Sequence, residues 1–374
     1  MPETSPEPEA LPAVREDLAD AQPYGAPQID VPHLLNVNEN PFPPSAELAA
    51  ALGAAVQSAA STLNRYPDRE FAALRADLAD FLAEESHVPA PMVEEVWAAN
   101  GSNEIMLQIF QAYGGPGRSA LSFTPHYSMY PEYARDTVTS WQTSSRGPAP
   151  DFALDAATVR DAIARHSPAI VLLTSPNNPT GTALDLDVVR AACRAQAAHG
   201  GLVVVDEAYG EFRRDGVPSA LTIREDHPNL LVSRTMSKAF ALAGARIGYL
   251  VAHRRVVDAL RTVRLPYHLS AVTQAVARTA LAHRDELLSQ VELLRAERDD
   301  LAAHLIAEGY DVAPSDANFL LFRPRGDRRE IWEGLLERGV LIRVVGPEGW
   351  LRVSVGGPQD NSAFRTALQE VDPR

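Results

Sequence analysis

Six short apolar runs, at residues 95–99, 119–123, 169–174, 202–205, 229–233 and 247–251, punctuate the middle of the chain. Stretches of helical periodicity such as 103–113 and 184–198 lie between them. Near-continuous Val/Leu/Ile strands alternating with helices form a mostly parallel sheet covered on both faces. Such a sheet binds its ligands beyond the C-terminal ends of its strands, so chemistry is expected in the loops after these runs. Past Arg264 the pattern changes. A long helical region at 285–308 leads to short apolar runs at 319–322, 340–343 and 351–355. The expected fold class is α/β: a large domain with a mostly parallel sheet between helices, plus a smaller α+β C-terminal domain. The expected division is an N-terminal arm at 1–33, a large domain at 63–263, and a small domain built from 34–62 and 264–374.

A chain of 374 residues can bury two such cores. The net charge of −15 argues against a nucleic-acid partner, which wants a basic face. It leaves room for an anionic small substrate, because a few local arginines can invert the field inside a cleft. No apolar stretch approaches the roughly 18 residues needed to cross a bilayer, so no membrane partner is expected. Residues 1–21 are acidic and proline-bearing, without a basic-then-apolar signal pattern, and read as a frayed tail. A cytoplasmic protein is therefore expected. Cys193 is the single cysteine, which rules out an intrachain disulfide and a cysteine metal cluster. It falls in a helical pattern, where a buried, inert thiol is expected. No metal site is expected.

Of the 34 basic residues, 33 are arginine and one is lysine, Lys238. Codon bias can replace surface lysines by arginines at little physical cost. It cannot replace a lysine whose chemistry needs a primary amine. Arginine stays protonated, whereas a lysine amine can lose its proton to its surroundings and attack a carbonyl.

The loops after the apolar runs are unusual. After 169–174 comes Ser175-Pro176-Asn177-Asn178-Pro179-Thr180-Gly181, longer than one turn requires. After 202–205 comes Asp206-Glu207-Ala208-Tyr209, where an acid ends an apolar strand and needs a partner. After 229–233 comes Arg234-Thr235-Met236-Ser237-Lys238-Ala239-Phe240, with Arg246 eight residues past the lysine.

The motifs SPNNPTG, DEAY and SRTMSKAF followed by GARIGY resemble those of fold-type I aminotransferases, which depend on pyridoxal-5′-phosphate (PLP). Within that group the chain is similar to the histidinol-phosphate aminotransferase family, especially its actinobacterial form. Further stretches agree: LNVNENP (35–41), NRYPD (64–68), ANGSNE (99–104), RLPYHLSAVTQA (264–275) and GWLRVSVG (349–356). The resemblance covers roughly residues 22–370.

The resemblance implies a role for each matching residue. Lys238 would hold the cofactor and move the proton at the substrate α-carbon. Asp206 would pair with the pyridine nitrogen and keep it protonated. Asn178 and Tyr209 would hydrogen-bond the cofactor's phenolic oxygen, and Tyr127 would stack on the ring. Gly101, Ser102 and Asn103 open a helix, whose backbone N–H groups can face the cofactor phosphate. Thr235, Ser237 and Arg246 would add hydroxyls and a guanidinium. Tyr66 would reach the phosphate of a neighbouring subunit, making the working unit a homodimer with shared sites. Arg352, a charge on an apolar strand, needs an anion and would clamp the substrate α-carboxylate. Arg343 would face the substrate's phosphate, Tyr24 would help close the site, and Asn38 and Asn40 would border it.

The expected activity is transamination between L-histidinol phosphate and 2-oxoglutarate. The alternatives are an aromatic amino-acid aminotransferase, a PLP decarboxylase and a non-catalytic PLP sensor. The partners expected are a small-molecule amino donor and a 2-oxo acid. Departures from the family pattern fall at Val344, where an acid is common, and at His126, where a small residue is usual. His126 is expected as a surface or supporting residue. Tyr113 and the Tyr130–Tyr133 stretch are unusually aromatic and are expected near the substrate end.

Overall fold

The strands, in a computed structural model that describes residues 12–374, are numbered here in chain order. They are β1 (His33–Leu34), β2 (Val96–Ala99), β3 (Ser119–Thr124), β4 (Ser140–Ser145), β5 (Ile170–Thr174) and β6 (Leu202–Asp206). The rest are β7 (Leu230–Thr235), β8 (Gly248–Ala252), β9 (Asp311–Val312), β10 (Phe319–Arg323), β11 (Val340–Leu341) and β12 (Leu351–Ser354). Residues 1–11 of the expected tail lie outside the described residues.

Seven strands make the central sheet, in the order β2-β8-β7-β6-β5-β3-β4. Every pairing from β7 to β4 is parallel; β8 runs antiparallel to both β2 and β7. Every residue of β5, β6 and β7 is buried, which is why each opens in the sequence as an apolar run, with polar residues only toward its C-terminal end. β4 is different. It is a polar edge strand (SWQTSS) with no buried residue, and sequence periodicity does not mark it. Helices cover the sheet. Ser102–Tyr113 follows β2, and Leu186–Ala197 is capped by Asp185, whose side chain accepts from the Asp187 amide.

The C-terminal part carries a second core around Leu320, Phe322, Leu335, Leu351, Val353 and Phe364. There β9, β10 and β12 form an antiparallel sheet, while β1 pairs in parallel with β11. The long helix Arg284–Ala307 serves both cores: Leu287, Val291 and Leu294 enter the first, Leu301 and Leu305 the second. The change of core thus falls inside this helix, later than the boundary expected at 264. Leu48, on the helix Ala46–Ala60, also packs into the first core, whereas Leu35 enters the second. Each helix follows its apolar stripe rather than the chain order of the domains. Among the described residues no helix is long and apolar enough to cross a membrane.

Candidate active site

The parallel register brings strand ends together. Thr174 on β5 lies beside Asp206 on β6, and Asp206 lies beside Ser233 on β7. A cavity of about 250 Å³ opens at this edge, between the sheet and the C-terminal unit.

Lys238 stands in the turn after β7 and lines the cavity. Its Nζ donates to the Val37 carbonyl at 2.8 Å. Burial, with the nearby Arg352 cation adding to it, lowers the ammonium pKa from 10.5 to about 8. An amine so placed is partly unprotonated near neutral pH and ready to act as a nucleophile.

Asp206 is buried at the floor. Its carboxylate accepts from the Tyr130 hydroxyl at 2.9 Å and from the Ala208 amide at 3.2 Å. Burial raises its pKa to about 6. No arginine or lysine among the described residues pairs with it. It is a carboxylate facing a cavity without its cation, which suits a protonated pyridine nitrogen.

Tyr209 Oη accepts from Asn38 Nδ2 at 3.0 Å and from Asn178 Nδ2 at 3.4 Å. With two donors already directed at this oxygen, the phenol's own proton is free to point into the cavity. Asn178 Oδ1 in turn accepts from Arg352 Nη1 at 2.7 Å, and Arg352 Nη2 donates to the Asn36 carbonyl at 2.9 Å.

The opposite wall is built for a phosphate. Among the described residues no side chain caps the N-terminus of helix Ser102–Tyr113, so its first amides remain available. Thr235 Oγ1 donates to Ser237 Oγ at 3.0 Å, and Arg246 Nη1 reaches Ser237 Oγ at 3.4 Å. Gly101 has φ +85°, and a Cβ added there would overlap the Arg246 guanidinium. A helix end, two hydroxyls and a guanidinium converging on one point fit the PLP phosphate.

Tyr127 lines the cavity and sits edge-on to Tyr130, with ring centroids 5.5 Å apart. At the outer end, Arg343 and Arg352 are direct partners in an antiparallel bridge, bonded at 2.9 and 3.0 Å. Residues so paired project from the same face of the ladder, and both line the cavity. Among the described residues, Arg343 Nη1 and Arg352 Nε make no hydrogen bond. Two guanidinium groups side by side with unused donors call for an anion. Tyr24, whose hydroxyl accepts from Ser128 Oγ at 3.1 Å, stands at the rim.

The cavity wall thus gathers Lys238, Asp206, Tyr209, Asn178, Ser102, Asn103, Tyr127, Thr235, Ser237, Arg246, Arg352, Arg343, Tyr24 and Asn38. Gly101 does not line it but is the N-cap of the helix whose Ser102 and Asn103 do. Asn40 does not line it: Asn40 Oδ1 accepts from the Phe42 amide at 2.9 Å and Nδ2 donates to Gln290 at 3.2 Å. The side chain shapes the turn before Pro41 instead of bordering the pocket. Tyr66 is 80% exposed, outside its own chain's cavity, and stacks on Tyr267 at 4.4 Å.

Tyr130 and Tyr133 do not lie at the substrate end. Tyr130 holds Asp206, and the Tyr133 hydroxyl donates to Asn103 Oδ1 at 2.9 Å, so both buttress the cofactor side. The available signal was the three-residue spacing from Tyr127 to Tyr130 and on to Tyr133, one face of a helical turn. Thr174, Asn36 and the Val37 carbonyl also join the site, and no residue-type signal marked them.

Comparison with known proteins agrees with this geometry. The family model "Aminotransferase class I and II" matches residues 32–367. A histidinol-phosphate aminotransferase of Frankia casuarinae is 59% identical over 95% of this chain and 89% of its own length. One of Thermobifida fusca is 58% identical, covering 95% of this chain and 94% of its own. The crystal structure of histidinol-phosphate aminotransferase from Sinorhizobium meliloti in complex with PLP superposes with a TM-score of 0.80 at 25% identity, over 91% of both chains. Aspartate aminotransferase of Thermus thermophilus with maleate gives 0.76 at 26% identity, again over 91% of both. Sequence, fold and site together make this chain a member of the class I and II aminotransferases.

Proposed function

We propose that this chain transaminates L-histidinol phosphate with 2-oxoglutarate, giving imidazole acetol phosphate and glutamate for histidine biosynthesis, with PLP as cofactor. The relatives at 58 and 59% identity carry the name of that activity. The carrying observation is the Arg343–Arg352 pair, two guanidinium side chains from one face of a ladder that both line the cavity. L-Histidinol phosphate has a phosphate and no carboxylate, whereas glutamate and 2-oxoglutarate have two carboxylates. A pair of forked cations accepts either kind of anion, which one enzyme serving both half-reactions requires.

When bound, PLP takes up the amino group and acts as the electron sink while the substrate α-carbon loses its proton. The chain supplies the rest. Lys238 Nζ would hold the cofactor and, as an amine with its pKa lowered to about 8, would carry the proton at the substrate α-carbon. Asp206 would keep the pyridine nitrogen protonated, with Tyr130 keeping Asp206 in place. The Tyr209 hydroxyl and the Asn178 amide would serve the phenolic oxygen. The end of helix Ser102–Tyr113, Thr235, Ser237 and Arg246 would hold the phosphate. Tyr127 would pack against the ring, and Arg352 and Arg343 would orient the substrate anion.

The working form we propose is a cytoplasmic homodimer. Tyr66, exposed on its own subunit, would reach the partner's phosphate site. A donor panel tests the reading: L-histidinol phosphate, L-phenylalanine and L-tyrosine, each with 2-oxoglutarate, followed by glutamate formation. L-Histidinol phosphate is expected to be the best donor. If it is inert while phenylalanine reacts, the aromatic aminotransferase reading replaces this one; release of carbon dioxide would indicate a decarboxylase.

A further inference from the structure

His126 comes just before Tyr127 in the loop after β3, and it lines the cavity although no step above uses it. Its Nδ1 lies 2.9 Å from the Tyr127 carbonyl oxygen. A carbonyl can only accept, so Nδ1 carries the proton. The ring is held in place by Trp141, edge-on at 5.2 Å, and by Tyr130, stacked at 6.0 Å. Burial pushes the imidazole pKa below its ordinary value, and the buried Arg146 guanidinium adds to that effect. The ring is therefore neutral, with its tautomer set by the Tyr127 carbonyl.

A neutral imidazole whose Nδ1 donates has a lone pair on Nε2. That Nε2 makes no hydrogen bond among the described residues, and it is not among the buried atoms left without a partner. It is open on a residue that lines the cavity. The arginines lining the same cavity are of the opposite kind: Arg343 and Arg352 carry donors alone. The cavity therefore offers donors for an anion and, at His126, an acceptor for an N–H. A donor substrate that carries both a phosphate and a neutral imidazole matches both. Phenylalanine has no ring donor, and the side chain of glutamate ends in an acceptor.

We propose that His126 determines donor specificity, its Nε2 accepting a hydrogen bond from the imidazole N–H of the substrate. This inference rests on the reaction proposed above.

The test is single-turnover half-reactions, followed by cofactor absorbance, for wild type, His126→Thr and His126→Gln. The donors are L-histidinol phosphate, its ring-N-methyl derivative, L-glutamate and L-phenylalanine. His126→Thr is expected to weaken L-histidinol phosphate about tenfold, the worth of one neutral hydrogen bond. Glutamate and phenylalanine should change by less than about twofold, which is within the scatter of a remote substitution. His126→Gln, whose amide oxygen can accept, should restore most of the loss. Ring methylation should weaken the donor in wild type but add little in His126→Thr.

Equal losses on all donors, or a methylated donor that wild type binds as well as the parent, overturn the inference while leaving the proposed reaction standing. The methylated donor needs only wild type, so this arm holds even if His126→Thr folds poorly. A wild type that transaminates phenylalanine but not L-histidinol phosphate overturns the reaction and this inference together.

Discussion

Replacing Lys238 by methionine is expected to stabilise the cofactor-free protein while abolishing turnover. In the folded chain the ammonium pKa falls from 10.5 to about 8. A shift of roughly 2.5 units corresponds to about 3 kcal/mol, the free energy of keeping a proton on a buried amine. Methionine has nearly the same shape and no charge. It gives up the hydrogen bond to the Val37 carbonyl, worth about 1 kcal/mol. The net gain at pH 7 is therefore about 2 kcal/mol. With an unfolding entropy of ~2 cal/mol/K per residue, a chain of this length should melt roughly 2–3 °C higher. The pH dependence follows from the sign of the shift. A base whose folded pKa lies below its unfolded pKa carries the full penalty below pH 8 and loses it between 8 and 10.5. The advantage of the variant should thus be largest at pH 7 and vanish by about pH 10.5. Thermal melts of both apoproteins across that range measure it. A variant that melts no higher than wild type at pH 7, or a difference that does not change with pH, refutes the reasoning.

Asp206 is buried without a cation and has a pKa of about 6, so PLP affinity should be flat above pH 7 and weaken as pH falls through 6. Absorbance titrations in Asp206→Asn should be weaker and lack this pH dependence. Gly101→Ala places a methyl against the Arg246 guanidinium at φ +85° and should weaken PLP binding about tenfold or more with the far-ultraviolet spectrum unchanged. Arg352→Lys keeps the charge but cannot bond Asn178 and the Asn36 carbonyl together, at 2.7 and 2.9 Å. Its kcat/KM for both half-reactions should fall by roughly 30-fold or more, which steady-state kinetics with each substrate will show.

How much of this was legible in the sequence depended on where each residue's partners lie. β5, β6 and β7 are clear because a strand buried on both faces is apolar wherever no partner meets a polar side chain, and each opens on three or four apolar residues. β4 was hidden because an edge strand can be polar. Lys238 stood out as the single lysine, and Asp206 as an acid ending an apolar run. Tyr130 was placed at the wrong end, because residue order does not say which way a helical side chain points. Only the fold aims it at Asp206. Asn40 was misassigned for a related reason: a side chain that closes a local turn and one that faces a pocket look alike before a proline. The change of core inside Arg284–Ala307 was invisible because one apolar stripe runs along both halves.

Two buried charges at the ends of neighbouring strands, Arg234 and Asp206, are met in different ways. Arg234 on β7 is held by Glu85 and Glu207 at 2.8 Å and by Glu211 at 3.1 Å, so its charge is met within the chain. Asp206 and Glu207 are neighbours at the end of β6, and consecutive strand residues face opposite ways. Glu207 turns to Arg234, while Asp206 turns to the cavity and has no cation among the described residues. Lys238 and Arg352 share that cavity, likewise without a salt bridge among the described residues. An isolated buried charge costs several kcal/mol, and folding alone gains nothing from three of them. Their partners must come from outside: a pyridinium for Asp206, an electrophilic aldehyde carbon for the unprotonated Lys238 amine, an anionic substrate for Arg352. Ligands that bind only the folded chain then raise its stability by mass action, so the groups that make the empty protein weaker are those that make it bind.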